Sequence, residues 1–103
     1  MSRQIPLSEK QKKHLRGLAH ALRPVSRLGS AGITDAFIAE LDTSLAHHEL
    51  LKLKVMAPDR VQRDTAIAAI VERTGAALVT RIGNVAVLYR PRPDGPQLEL
   101  PDR

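Results

Sequence analysis

Between residues 8 and 90 the apolar positions change period several times, from helical spacing to the two-residue alternation of strands. Leu15, Leu18, Ala19 and Leu22 recur at i, i+3, i+4 and i+7. This narrow stripe predicts a helix that Ser8 caps and Pro24 stops, running to about Leu22, with Gly17 as its weak point. Residues 25–28 follow as a short extended segment that runs into Gly29-Ser30-Ala31-Gly32. Thr34 then caps a second helix, with Asp35 in the first turn and Phe37, Ile38, Leu41 and Leu45 as its core face. In Leu50–Val55, Leu51, Leu53 and Val55 alternate with Lys52 and Lys54, a strand with one apolar and one cationic face. Pro58-Asp59 opens a third helix that turns Ile67, Ile70 and Val71 inward and stops at Gly75. Two β-rich runs, 76–82 and 85–90, are joined by Gly83-Asn84, a hairpin signal of the II′ type.

The predicted order is α-β-α-β-α-β-β. Strands separated by helices favour parallel pairing, and the final hairpin adds an antiparallel partner. The expectation is an α/β fold: a two-layer sandwich with a mixed four-stranded sheet, helices mainly on one face, and Lys52 and Lys54 shown to solvent on the other. Four of the seven prolines (Pro91, Pro93, Pro96 and Pro101) lie beyond residue 90. The domain is therefore expected to span 1–91, with 92–103 an extended, loosely held, proline-rich tail.

Composition narrows the function classes. The 103 residues (11.3 kDa) hold no cysteine, which excludes disulfides, thiol nucleophiles and thiolate metal sites. No apolar run approaches the roughly 20 residues of a membrane helix, and residues 1–7 lack the apolar core of a secretion signal, so a cytoplasmic location is expected. Aromatic residues are only Phe37 and Tyr89, too few for a base-stacking sheet surface. The charge is more telling. Residues 1–28 carry seven basic groups (Arg3, Lys10, Lys12, Lys13, Arg16, Arg23, Arg27) against Glu9 alone; residues 29–103 carry nine basic and ten acidic groups. The whole surplus of +5 lies in the first quarter of the chain. A basic face on a neutral body is the footprint of a polyanion binder, and equally the pattern of a solvated helix face.

Gly29-Ser30-Ala31-Gly32 is a G-x-x-G loop between a strand and a helix start. Small residues let the backbone approach a phosphate, and the amides of the following helix favour an anion. A glycine turn before a capped helix also forms without any ligand; Arg23, Arg27 and the basic first helix tilt the reading toward phosphate. Other chemistry finds little support. His14, His20, His47 and His48 contain no i, i+4 pair within a helix, so no metal site is expected. Ser26, Ser30 and Ser44 lack a nucleophile-elbow context, and the loop lacks the Lys-Ser/Thr of a P-loop. No catalytic residue, cofactor or small-molecule substrate is expected. Tyr89 is assigned to the sheet edge with a wet hydroxyl, and Arg81 and Arg90 to solvated strand positions.

Several separate segments carry a family resemblance: the run 10–20 (KQKKHLRGLAH), Pro24-Val25, 28–33 (LGSAGI), His47-His48-Glu49-Leu50 with Lys52 and Lys54, and 82–91 (IGNVAVLYRP). In the same order they resemble the YhbY family of small bacterial RNA-binding proteins, the stand-alone form of the CRM domain, over residues 8–91. The resemblance implies a fold similar to the C-terminal domain of translation initiation factor three. It also implies association with precursors of the large ribosomal subunit (pre-50S), a role in ribosome assembly, and RNA as partner. Its G-x-x-G loop maps onto residues 29–32 and its basic first helix onto Lys10 to Arg16; the tail departs from the family, being longer and less basic. The RNA contacts expected are Lys10, Lys12, Lys13, Arg16, Arg23, Arg27, the backbone of Gly29, Ser30, Ala31 and Gly32, and then Lys52 and Lys54. The protein is expected to act as a monomer on folded RNA, read by shape and charge. The competing reading is a protein–protein adaptor that docks acidic ribosomal or assembly proteins through the same face.

Overall fold

The computed structural model describes residues 6–29 and 31–103, and the structural statements below concern those residues. The first helix, α1 (Glu9–Ala19), opens with a reciprocal cap. Gln11 N–H donates to Ser8 Oγ at 3.1 Å, and Ser8 N–H donates to Gln11 Oε1 at 3.0 Å. Two backbone donors that a helix start leaves open are thereby satisfied. The helix ends at Ala19, short of Leu22. Pro24 disfavours helical backbone at Arg23, and residues 20–23 are needed to turn the chain into the sheet. The buried line of α1 is Gln11, Leu15 and Ala19, a four-residue row. Leu18 and Leu22, which the apolar stripe assigns to the same face, are 41% and 38% exposed.

The remaining elements are β1 (Pro24–Leu28), α2 (Asp35–His48), β2 (Leu50–Val55), α3 (Arg60–Thr74), β3 (Ala77–Ile82) and β4 (Val85–Tyr89), in the predicted order. Thr34 Oγ1 accepts Phe37 N–H to cap α2; Asp59 Oδ1 accepts Gln62 N–H to cap α3. The strands lie side by side as β1-β2-β4-β3, with β1 parallel to β2 and the other pairs antiparallel. The mixed four-stranded sheet is the expected one.

Alternation along β2 sorts its side chains between two cores. Leu51, Leu53 and Val55 turn toward α2 and α3 and join Leu41, Leu45, Ile67 and Ile70 in the larger core. Leu50 turns the other way and meets Leu15 and Ala19 of α1, with Val79, Val87 and Tyr89. Two helices thus share one face of the sheet, while α1 covers one end of the opposite face. Lys52 and Lys54 lie on that opposite face beyond Leu50 and are half-buried rather than fully exposed. Tyr89 departs from its expected edge position: it sits on β4, an interior strand, and is 2% exposed. Burial, with the nearby Glu49 carboxylate, pushes its hydroxyl pKa up.

The tail carries no helix or strand, yet it is not loosely held. Leu98 and Leu100 pack onto the core under α1, and Gln11 Nε2 donates to the Pro101 carbonyl at 3.1 Å. Its main fastening is Glu49, the C-cap of α2, which has φ 60 and ψ −50, a backbone conformation rare outside glycine. The Glu49 side chain is buried; Oε2 accepts Arg92 N–H at 2.8 Å, and Oε1 accepts Gln97 N–H at 2.8 Å and Leu98 N–H at 3.0 Å. Burial alone would raise the carboxyl pKa. The three amide donors and the Arg92 guanidinium outweigh it and hold the pKa below its ordinary value.

Candidate nucleic-acid interface

The strand register places the cations of the sheet. Lys52 pairs with Pro24 and Lys54 with Arg27, one step before Leu28 meets Val55 at the end where both strands finish. Arg27, Lys52 and Lys54 share the face that carries α1, because Leu28, Leu53 and Val55 occupy the other. Lys52 Nζ donates to the Leu22 carbonyl at 3.0 Å and so ties β2 to the segment that leaves α1. From α1 the basic groups therefore run through residues 20–23 and Lys52 to Arg27 and Lys54, and the glycine loop begins two residues past Arg27. Lys10, Lys12 and Lys13 stand at the far end of α1, beside the tail, since Gln11 reaches Pro101 there. The cations of α1, β1 and β2 thus lie on one side of the sheet, a cationic stripe with the loop near its β end.

What sets these cations apart is the lack of internal partners. Lys10, Lys13, Arg16, Arg23, Arg27 and Lys54 have no ion pair among the described residues, and Lys12 has only the 3.9 Å contact with Glu9. The arginines of the rest of the body each have a carboxylate or carbonyl nearby, although Arg60 and Arg63 stand beyond hydrogen-bond distance of theirs and Arg63 Nε has no hydrogen-bond partner among the described residues. Arg60, Arg63 and Arg81 converge on Asp64 at 3.7, 3.8 and 3.2 Å, and Arg73 meets Asp35 at 2.8 Å. Arg90 Nη1 donates to Asp42 Oδ1 at 2.7 Å and to the Thr74 carbonyl at 2.9 Å, clamping the end of β4 to α2 and α3. Arg92 donates to the carbonyls of Ala46 and His47. Arg81 and Arg90 are therefore not the solvated strand positions expected of them. Arg81 also donates to the nearby Gly83 carbonyl at 2.6 Å, but the carboxylates of Asp64 and Asp42 lie too far along the chain for any local pattern to reveal them.

In the loop, Gly32 N–H donates to the Gly29 carbonyl at 3.2 Å, closing a tight turn. Ser30 lies outside the described residues; Ala31 is exposed. The two glycines differ physically. Gly32 has φ +80, where an L side chain is strained, so the turn itself requires it. Gly29 is not in the left-handed region, and a Cβ there would meet nothing within 4 Å. The fold places no demand on glycine at 29, whereas the close approach of a ligand would. The helix end behind the loop offers less to an anion than its sequence suggests. Thr34 already takes Phe37 N–H, and Asp35 sets a carboxylate in the first turn of α2.

Among the described residues no group of three or more His, Asp or Glu is placed to hold a metal ion. His47 and His48 meet edge to face with ring centroids 4.7 Å apart at the end of α2. No helix among the described residues is long and apolar enough to cross a membrane.

The family model of the CRS1 / YhbY (CRM) domain matches residues 7–90. The chain belongs to this family. A Haemophilus influenzae protein named "RNA-binding protein" is 48% identical over 92% of this chain and 95% of its own. The Bacillus subtilis "Probable RNA-binding protein YqeI" is 35% identical over 92% of this chain and 99% of its own. The fold matches the solution structure of a Staphylococcus aureus protein described as a candidate RNA-binding protein. That match has a TM-score of 0.80 and 33% identity, covering 93% of this chain and all of the other. The CRM match includes the basic helix, the glycine loop and the Glu49 corner, and stops just before the tail segment that Glu49 holds.

Proposed function

We propose that this CRM-domain protein binds structured RNA, holding phosphates with Lys10, Lys13, Arg16, Arg23, Arg27 and Lys54 and with the loop backbone at residues 29–32. The observation that carries this reading is the partition of the cations: the body's arginines contact carboxylates and carbonyls, while Lys10, Lys13, Arg16, Arg23, Arg27 and Lys54 have no ion pair among the described residues and stay open to a polyanion. The relatives named for RNA binding support it. The particle proposed as its target is a precursor of the large ribosomal subunit, with the protein assisting assembly as a cytoplasmic monomer, as the family resemblance implies. No catalytic step is assigned.

Binding of a structured RNA should fall steeply with salt. With roughly four to six phosphates neutralised, the log–log slope is about −3 to −5. A titration by fluorescence anisotropy measures it. A flat response, or no binding to naked RNA at low salt, returns the adaptor reading, in which acidic proteins occupy the same face. Sedimentation of cell extracts through a sucrose gradient tests the particle: the protein is expected with large-subunit precursors and not with free small subunits.

The loop gives a second expectation. Gly32→Ala forces an L residue to φ +80 and should cost about 1 kcal/mol of stability. Gly29→Ala and Ala31→Asp should melt within a degree or two of the parent yet bind RNA several-fold more weakly, the first by blocking approach and the second by repulsion. Unchanged RNA binding in both would reduce residues 29–32 to a structural turn and leave the cationic stripe as the whole contact.

A further inference from the structure

On the side of the glycine loop away from the cations lies an apolar groove of about 810 Å³, between the ends of β1 and β2 and the first turns of α3. Its floor is Leu28, Ala66 and Ala69, its rims are Met56 and Val61 on one side and Gly29 and Gly32 on the other. Small residues on the groove-facing stripe of α3 (Thr65, Ala66, Ala69) make the hollow; the larger Ile67, Ile70 and Val71 turn into the core. Met56 and Val61 are 40% and 74% exposed, large apolar side chains that the fold leaves unburied beside one another. A groove of this size falls within the range of small-ligand sites.

We propose that this groove receives an unpaired nucleobase of the RNA whose phosphate crosses the glycine loop. The inference rests on the RNA-binding reading above and specifies which part of the RNA is read. Three observations favour a base as the occupant. The groove shares Gly29 and Gly32 with the loop, so a nucleotide whose phosphate meets the loop backbone has its base within reach of the hollow. Arg27 and Lys54, without an ion pair among the described residues, lie just across the loop, and an apolar protein segment has no use for them, whereas a phosphodiester chain does. The lining suits a flat heteroaromatic ring: the Met56 thioether and the Val61 methyls offer polarisable apolar contact, while Gln62 and Thr65 bring polar atoms to its edge. Gln62 Nε2 donates to Asp59 Oδ2 at 3.3 Å, which holds the amide and leaves its carbonyl oxygen as an acceptor for a base donor. A paired base gives up its pairing and stacking to enter such a hollow, at a cost of a few kcal/mol that an unpaired base in a loop or bulge is spared.

The test uses the full chain and three RNAs: a hairpin with an unpaired loop, the same hairpin with abasic loop nucleotides, and a fully paired duplex of equal length. Wild type is expected to bind the intact hairpin about tenfold more tightly than the abasic one, and the duplex no better than the abasic one. Two groove-filling variants accompany it. Ala69→Leu raises the floor, and Thr65→Trp fills the hollow from an exposed position without touching the core. In both, the intact hairpin should bind only as well as the abasic hairpin, whose own affinity stays at the wild-type level. Equal binding of the two hairpins by wild type, with the salt-dependent affinity intact, overturns the base site and leaves the phosphate reading standing. A tenfold preference that survives in both filled variants also overturns it, and gives the groove to an apolar protein segment. Absence of all RNA binding by wild type defeats the RNA reading itself.

Discussion

Reversing Lys13, Arg16 and Arg27 together to Glu is expected to lower affinity for structured RNA about 100-fold, since three lost contacts of about 1 kcal/mol each sum to roughly 3 kcal/mol. The salt slope should flatten by about 3, because each lost phosphate contact removes close to one released counterion. The fold should survive. All three side chains are exposed and make no ion pair among the described residues, and substitutions of that kind usually shift stability by about 0.5 kcal/mol or less. Position, and not bulk charge, is what the stripe predicts. Adding Glu40→Lys and Glu72→Lys returns most of the lost charge, but on α2 and α3, and should restore little binding. Recovery to the parental affinity would show that any positive surface serves.

The largest effect on stability is expected at Glu49. Removing its carboxylate with Glu49→Ala leaves the amides of Arg92, Gln97 and Leu98 without their acceptor, a loss of about 2 to 4 kcal/mol. For a domain of this size that lowers Tm by roughly 10 to 20 °C. Glu49→Gln is the sharper probe. The amide keeps one acceptor for Gln97 and Leu98 but turns a donor toward Arg92 N–H, so an intermediate loss is expected. The same group predicts an acid dependence. Its folded pKa lies below the ordinary glutamate value, so its contribution is complete at neutral pH. It drains away as the pH falls from about 4.3 toward the lower folded value, because the unfolded chain takes up the proton first. Protection factors of the Gln97 and Leu98 amides, taken against the intrinsic exchange rate at each pH, should fall over that range in the wild type and be low at every pH in Glu49→Ala.

How far the chain discloses itself depends on the reach of each interaction. Caps, strand alternation and glycine stops are set within three or four residues, so Ser8, Thr34, the alternation in β2 and the stop at Gly75 are all legible. The boundary of α1 is less so, because Leu18 and Leu22 fit a helical stripe that the sheet does not cover. Basic residues are visible as composition; which of them are free is not. Arg81 and Arg16 look alike in the sequence, and only folding brings Asp64 to the first and nothing to the second. Glu49 is the clearest case. At a helix end it reads as an ordinary surface acid, whereas its partners lie more than forty positions away, in a segment whose prolines suggest disorder. Gly29 and Gly32 are identical letters with different physical standing, one fixed by backbone angle and the other left to a ligand.

Arg103 Nη1 donates to the Pro6 carbonyl at 2.8 Å, and Pro101 is bonded to Gln11. The two ends of the described chain therefore meet, beside Tyr89 and Leu50, at the opposite end of β2 from Val55 and the glycine loop. The contact between residues 6 and 103 thus forms a seam at the end of β2 remote from the loop, five residues or about 17 Å of rise along that strand from Val55. A tether or fusion at the seam leaves the loop and groove clear.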